Sequence, residues 1–315
     1  MGQKDISEKT FISLNDVFAD IFNVLVFKGT DVIEEDSLTD VVVRSQYKAE
    51  DGKLHEEERD AAKLWKHHNF NLVLFGVENQ TEVDGDMPFR VIGYDGAGYR
   101  SQMLQNKAER FPVVTIILYF GKKIWNKPLN LKGCFSPEVT DTREYQMLEE
   151  YVNDYKCHVF DIPRLAKDTV KQFQSDFRVV AEYFVNTYTN KEYVPEERVI
   201  RHVDEFLKLM SVLTGDNQYE TMTKSEDFQK IKKEGGITMC NVLEYHKEEG
   251  KAEGREEGRA EGRAEGRAEG REEERNTLII RMYENKLTSE QIASITGLSI
   301  KEVEYIRDSA ANEEC

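Results

Sequence analysis

The chain has 315 residues, 39% hydrophobic and 33% charged, with a formal net charge of −17. Its length suffices for one sizeable α/β core and a smaller appendage, and its acidity excludes nucleic-acid binding by charge spread over the whole surface while leaving room for a local basic cleft. Four scattered cysteines (Cys134, Cys157, Cys240, Cys315) without a C-x-x-C pair, no apolar stretch at the N-terminus, and no apolar run long enough to span a bilayer together predict a cytoplasmic protein with reduced thiols and no membrane part.

Asn15 to Phe27 carries apolar residues at helical spacing, with Asn15 or Asp16 able to cap its start. Thr39 to Arg44 contains a β-branched run. Residues 59–65 and the apolar run from Asn71 read as two strands joined at His67-His68-Asn69, a hairpin. Asp86 to Arg110 follows as a long helix with Pro88 in its first turn. Phe111 to Gly121 has the continuous apolar character of a strand buried on both faces, and Lys156 to Ile162 is one more strand. Strands interleaved with helices over 1–165 predict an α/β core.

Residues 166–250 read as a helical extension, with helical spacing through Val170–Tyr188 and Glu196–Leu213. Residues 251–275 repeat the tetrapeptide Ala-Glu-Gly-Arg. On a helix that period advances about 40° per repeat, so Glu stacks on Glu and Arg on Arg at i,i+4. Such a segment is either a solvated linker or an element through which copies of the chain pair as a homo-oligomer. Residues 276–315 form a trihelical pattern with helix-turn-helix spacing: Ser289 and Ser299 suit N-caps, and Gly297 suits the turn. With two basic and two acidic residues from Ser299 to Arg307, the last helix serves packing or oligomerisation as readily as DNA reading.

The chemistry concentrates in the hairpin. It brings Asp60, at the start of one strand, to the same end of the sheet as Glu78, at the close of the next. Two carboxylates there can hold a divalent metal, and such a metal activates water against a phosphodiester. The backbone carbonyl of Asn79 offers a further oxygen. Gln80 shares a strand face with Glu78 by the period-two alternation and can orient the water. On the following helix Arg90 and Tyr94 lie one turn apart on one face. Arg90 either binds a phosphate oxygen or pairs with Asp84 or Asp86. Solvent-facing acids at strand ends are the plain alternative for Asp60 and Glu78. An acid of the first helix, Asp16 or Asp20, is a candidate to complete the site.

The stretch from Val77 to Tyr94 resembles the recombination-promoting nuclease (Rpn, YhgA-like) family of the PD-(D/E)XK superfamily. That family's pattern is an Asp on one strand, Glu-x-Gln closing the next, a short acidic loop, then Met-x-x-Arg-x-x-x-Tyr on a helix. Asp60, Glu78, Gln80, Met87, Arg90 and Tyr94 match it. The resemblance implies a restriction-endonuclease-like core and a DNA endonuclease using Mg2+ or Mn2+, linked to recombination or mobile elements. In that reading Asp60 and Glu78 hold the metal, Gln80 positions the water, and Arg90 and Tyr94 contact the DNA phosphate. The wider superfamily places Lys where Gln80 stands. Gln can hydrogen-bond but supplies no positive charge, so the competing reading is a catalytically silent DNA-binding or oligomerising module of the same fold.

Overall fold

The computed structural model describes residues 10–42, 44–48, 54–68, 70–104, 109–188 and 193–313. The chain divides into two compact units, Met1–His246 and Lys247–Cys315.

The first unit is mixed α/β. Its helix α1 (Asn15–Leu25) precedes strands β1 (Leu38–Asp40), β2 (Arg44–Lys48), β3 (Leu54–Glu58), β4 (Ala61–His67) and β5 (Phe70–Gln80). Helix α2 (Met87–Leu104) then leads to β6 (Val113–Tyr119) and β7 (His158–Asp161). A five-stranded sheet has the order β1-β4-β5-β6-β7, while β2 and β3 form a separate antiparallel pair. The hairpin read from the sequence is present: β4 and β5 pair antiparallel from Ala61↔Val77 to His67↔Phe70. Its turn passes through His68 at φ 54°, and Asn69 lies outside the described residues. β5 to β6 and β6 to β7 are parallel. Helix α2 is therefore the crossover between two parallel strands, as a parallel connection requires.

Alternation along β5 divides its side chains between two layers. Phe75 and Val77 enter the main core, where the Phe75 ring lies 4.2 Å from that of Phe22 on α1. Leu74 points the other way, onto Ala97 of α2 and Val113. Gly98 lets α2 settle onto this face: a Cβ there would stand 3.0 Å from Leu74 and 3.1 Å from Val113. β6 is buried nearly throughout, which accounts for its continuous apolar run. The main core continues into helices α3 (Phe177–Tyr188) and α4 (Val203–Thr214), so the helices after residue 165 share one hydrophobic cluster with α1, β5 and β6.

Several local expectations are corrected. The N-cap of α1 is Leu14, with no side-chain cap; Asn15 instead donates to the Glu35 carbonyl at 2.8 Å. The apolar spacing through Val170–Tyr188 is interrupted, a short helix Lys167–Val170 being separated from α3. The break is held by Asp20, whose carboxylate accepts from the Gln174 and Ser175 amides at 2.9 and 2.7 Å and from the Ser175 hydroxyl at 2.6 Å. Residues 196–202 are not helical; Val199–Ile200 pairs antiparallel with Ile237–Thr238.

Helix α5 (Met239–Glu284) is continuous through the tetrapeptide repeat, and 251–275 is exposed almost throughout. In the second unit Ile279, Ile292 of α6 (Ser289–Thr296) and Val303 of α7 (Ile300–Glu313) form a small core. The cap of α6 is Thr288, not Ser289, in a capping box with Gln291. Gly297 closes that helix at φ 76°, and the Ser299 hydroxyl accepts from the Glu302 amide at 3.3 Å, so Ser299 does cap α7 as expected.

Candidate metal and nucleic-acid site

The antiparallel register ends at Ala61↔Val77, which leaves the last residues of β5 without a strand partner on the β4 side. Asp60 fills that gap. Its Oδ2 accepts from the Asn79 amide at 2.7 Å, standing in for a ladder carbonyl. The Gln80 carbonyl accepts from Phe120 on the β6 side at 2.8 Å. Successive residues therefore turn their backbone to opposite neighbours, and that of Asn79 faces Asp60.

Glu78 and Gln80 point to the α2 face. Glu78 is 3% exposed. Its Oε1 accepts from Arg90 Nη2, from the Tyr94 hydroxyl at 3.2 Å and, more weakly, from Gln80 Nε2 at 3.4 Å. Arg90 Nη2 also donates to the Tyr94 hydroxyl at 3.0 Å, and Arg90 Nη1 to Asp84 at 3.0 Å. Of the two readings of Arg90, the pairing with Asp84 is present, and the same guanidinium also reaches the buried carboxylate. Glu78 Oε2 is buried and has no hydrogen-bond partner among the described residues.

Burial and the charge of Asp60 push the Glu78 carboxyl up to about 8, against the pull of Arg90 and the Tyr94 hydroxyl. Burial works against the Arg90 charge, but Glu78, Tyr94 and Asp84 raise its pKa and keep it a cation. Burial and the neighbouring Glu78 also raise the Tyr94 hydroxyl, so it remains protonated as a donor.

The donor set fits a hard, oxygen-loving cation. The two carboxylates, Asp60 and Glu78, lie close enough to repel, and Glu78 has an unsatisfied oxygen. Among the described residues no three His, Cys, Asp or Glu side chains gather into an all-protein metal cage. A site of one or two carboxylates matches Mg2+, which keeps much of its water and takes further oxygens from phosphate. Asp16 and Asp20 do not complete it. Helix α1 packs on the opposite face of the sheet; Asp20 serves the 174–175 amides, and Asp16 pairs with Arg201 at 3.0 Å and His202 at 2.9 Å. The acidic cleft lined by Asp16, Asp20, Asn23, Asp31 and Arg201 belongs to that side and is separate from Glu78.

One family matches this chain: "Putative transposase, YhgA-like", over residues 60–216. The match begins at Asp60 and spans the whole hairpin–α2–β6–β7 unit. The chain belongs to the YhgA-like transposase family. No curated protein and no solved structure matches it. For the YhgA-like chain the geometry collects Asp60, Glu78, Gln80, Arg90 and Tyr94 at the carboxyl ends of parallel strands, where open α/β sheets bind ligands. The loop after β6, with Lys122, Lys123 and Lys127, leaves the same end of the sheet; Lys127 packs beside Gly85 of the acidic loop. His67 and His68 are exposed at the far turn.

The sequence reading missed a second buried group. Arg59, 3% exposed, donates from Nη2 to Asp95 Oδ1 at 2.8 Å. Asp95 also accepts from Thr115 and Tyr155 hydroxyls, each at 2.5 Å. A signal existed in Gly76, an isolated glycine in an apolar strand, which marks close approach of another group.

Proposed function

We propose that this protein is a metal-dependent DNA endonuclease with a restriction-endonuclease-like (PD-(D/E)XK) core, acting in the cytoplasm in recombination or mobile-element processing. Family membership supports a DNA-processing role tied to mobile elements. The observation that carries the finer reading is the lopsided Glu78 carboxylate: one oxygen held by three donors, the other unpartnered, with Asp60 beside it. Asp60 and Glu78 would hold Mg2+ or Mn2+, with the Asn79 carbonyl as a further oxygen. Bound there, the metal supplies Lewis-acid activation of water and charge neutralisation at the phosphate.

The chain's own residues do the rest. Gln80 accepts or donates a hydrogen bond at the mouth of the site and can orient the attacking water. Arg90, one-third exposed, is bracketed by Glu78 and Asp84; on transfer to a phosphate oxygen it supplies the positive charge that Gln80 lacks. Tyr94 keeps its proton and holds Glu78 Oε1 in place. The repeat in α5 would join copies of the chain through its Glu and Arg stripes. The deciding experiment is plasmid cleavage with Mg2+ or chelator, wild type beside Glu78→Ala. Cleavage that needs both metal and Glu78 is expected. DNA binding without cleavage by the wild type would instead establish the silent module, which Gln80 in place of Lys favours.

A further inference from the structure

The Arg59 side chain lies across Gly76, two residues before Glu78 on the same face of β5. A Cβ at Gly76 would meet Arg59 Cδ at 2.5 Å and Nε at 2.9 Å, so only glycine admits it. Asp95 anchors one end of the guanidinium, and Thr115 and Tyr155 hydroxyls fix Asp95 in turn. The Arg59 carbon Cζ stands 5.8 Å from the Tyr94 ring centroid, the same ring whose hydroxyl serves Glu78. Two of its donors, Nε and Nη1, are buried with no partner among the described residues.

Buried guanidinium donors are almost never left unsatisfied, because each then loses its solvation without compensation. On the same face, Glu78 Oε2 is a buried oxygen in the same condition. We propose that Arg59 is a positioning residue for Glu78: its unpaired Nε and Nη1 and the unpaired Glu78 Oε2 are two halves of one contact, closed through one buried water. Arg90 grips Glu78 from the solvent side and Arg59 from the core side. When Arg90 leaves for a phosphate, Arg59 remains, anchored by Asp95, and keeps the carboxylate aimed at the metal position. This rests on the metal-site reading for its consequence but not for the contact itself.

The test separates the two. In the protein without metal, the Arg59 Nε–H resonance, assigned through its own backbone, is followed between wild type and Glu78→Ala. A resonance protected from exchange in wild type and displaced in the variant is expected. The Glu78→Ala change removes the carboxyl group and keeps the Arg59–Asp95 pair, so an unmoved resonance overturns the contact whether or not the protein cuts DNA. Mn2+ affinity is then measured for wild type and Arg59→Lys, which keeps the charge but not the paired donors; a loss of about tenfold is expected, as for other groups that orient a metal ligand. Equal affinities would overturn the positioning role even with a displaced resonance. A wild type that binds no Mn2+ but shows the displaced resonance would refute the nuclease reading and leave the contact standing.

Discussion

At the scale of single residues, Glu78 sets the pH behaviour. Its ordinary value is 4.5 and its folded value about 8. Between these the folded chain keeps a proton that the unfolded chain has released, so this group's contribution is fully present below the lower value and lost as pH rises through the upper. Unfolding by urea in the presence of chelator, compared for wild type and Glu78→Gln, should show the variant gaining on the wild type from about pH 5 to about pH 8.5. A constant difference across that range would contradict the burial argument. If Asp60 and Glu78 hold the metal as proposed, saturating Mg2+ should remove the slope. Arg90→Met should lower cleavage at least about tenfold while leaving Mg2+ affinity intact or stronger, because a competing cation has been removed. These residues were legible in the sequence: alternation placed Gln80 beside Glu78, and the one-turn spacing placed Tyr94 beside Arg90. Arg59, Asp95 and Tyr155 were not. Their contacts join residues 36 and 60 positions apart, and no local period reports such pairs.

Among elements, the hairpin, α2 and β6 followed directly from periodicity, because each buries a face whose pattern the sequence displays. The break between residues 171 and 176 did not, since it is imposed by Asp20 from a helix 154 positions away. That carboxylate is buried and accepts two amides and a hydroxyl. Asp20→Ala should therefore lower unfolding free energy by about 2 kcal/mol or more, as loss of a charged acceptor leaves buried donors unpaired. Because α1 lies across the sheet from Glu78, DNA cleavage by the folded variant should stay near wild type; a collapse of activity at full folding would place α1 closer to the chemistry than the sheet allows. Likewise the first-helix cap was misread because Asn15, a good capping residue, is drawn to the Glu35 carbonyl instead.

For the whole molecule, the question is what the repeat does. Its glycines at 254, 258, 262, 266 and 270 have nothing within 4 Å of an added Cβ. Gly→Ala at three of them should strengthen the isolated helix by about 1 kcal/mol each. If copies pair through close approach along this segment, the same changes should weaken association, and sedimentation at low and high salt would register it. A species that stays monomeric at every salt concentration would remove the repeat from assembly. The ion pair at its end, Arg275 with Glu272 at 3.6 Å, falls where the tetrapeptide has already lapsed.

The continuity of α5 has one more consequence. Among the described side chains, none of residues 251–275 joins the main core, which reaches Val242 with Leu243 and Tyr245 packed against it, or the small core that begins at Ile279. Gain or loss of one tetrapeptide would lengthen or shorten the helix by about 6 Å and turn its charged stripes by about 40°, with no buried residue displaced. A whole tetrapeptide can therefore be added or removed without disturbing the packing inside either unit.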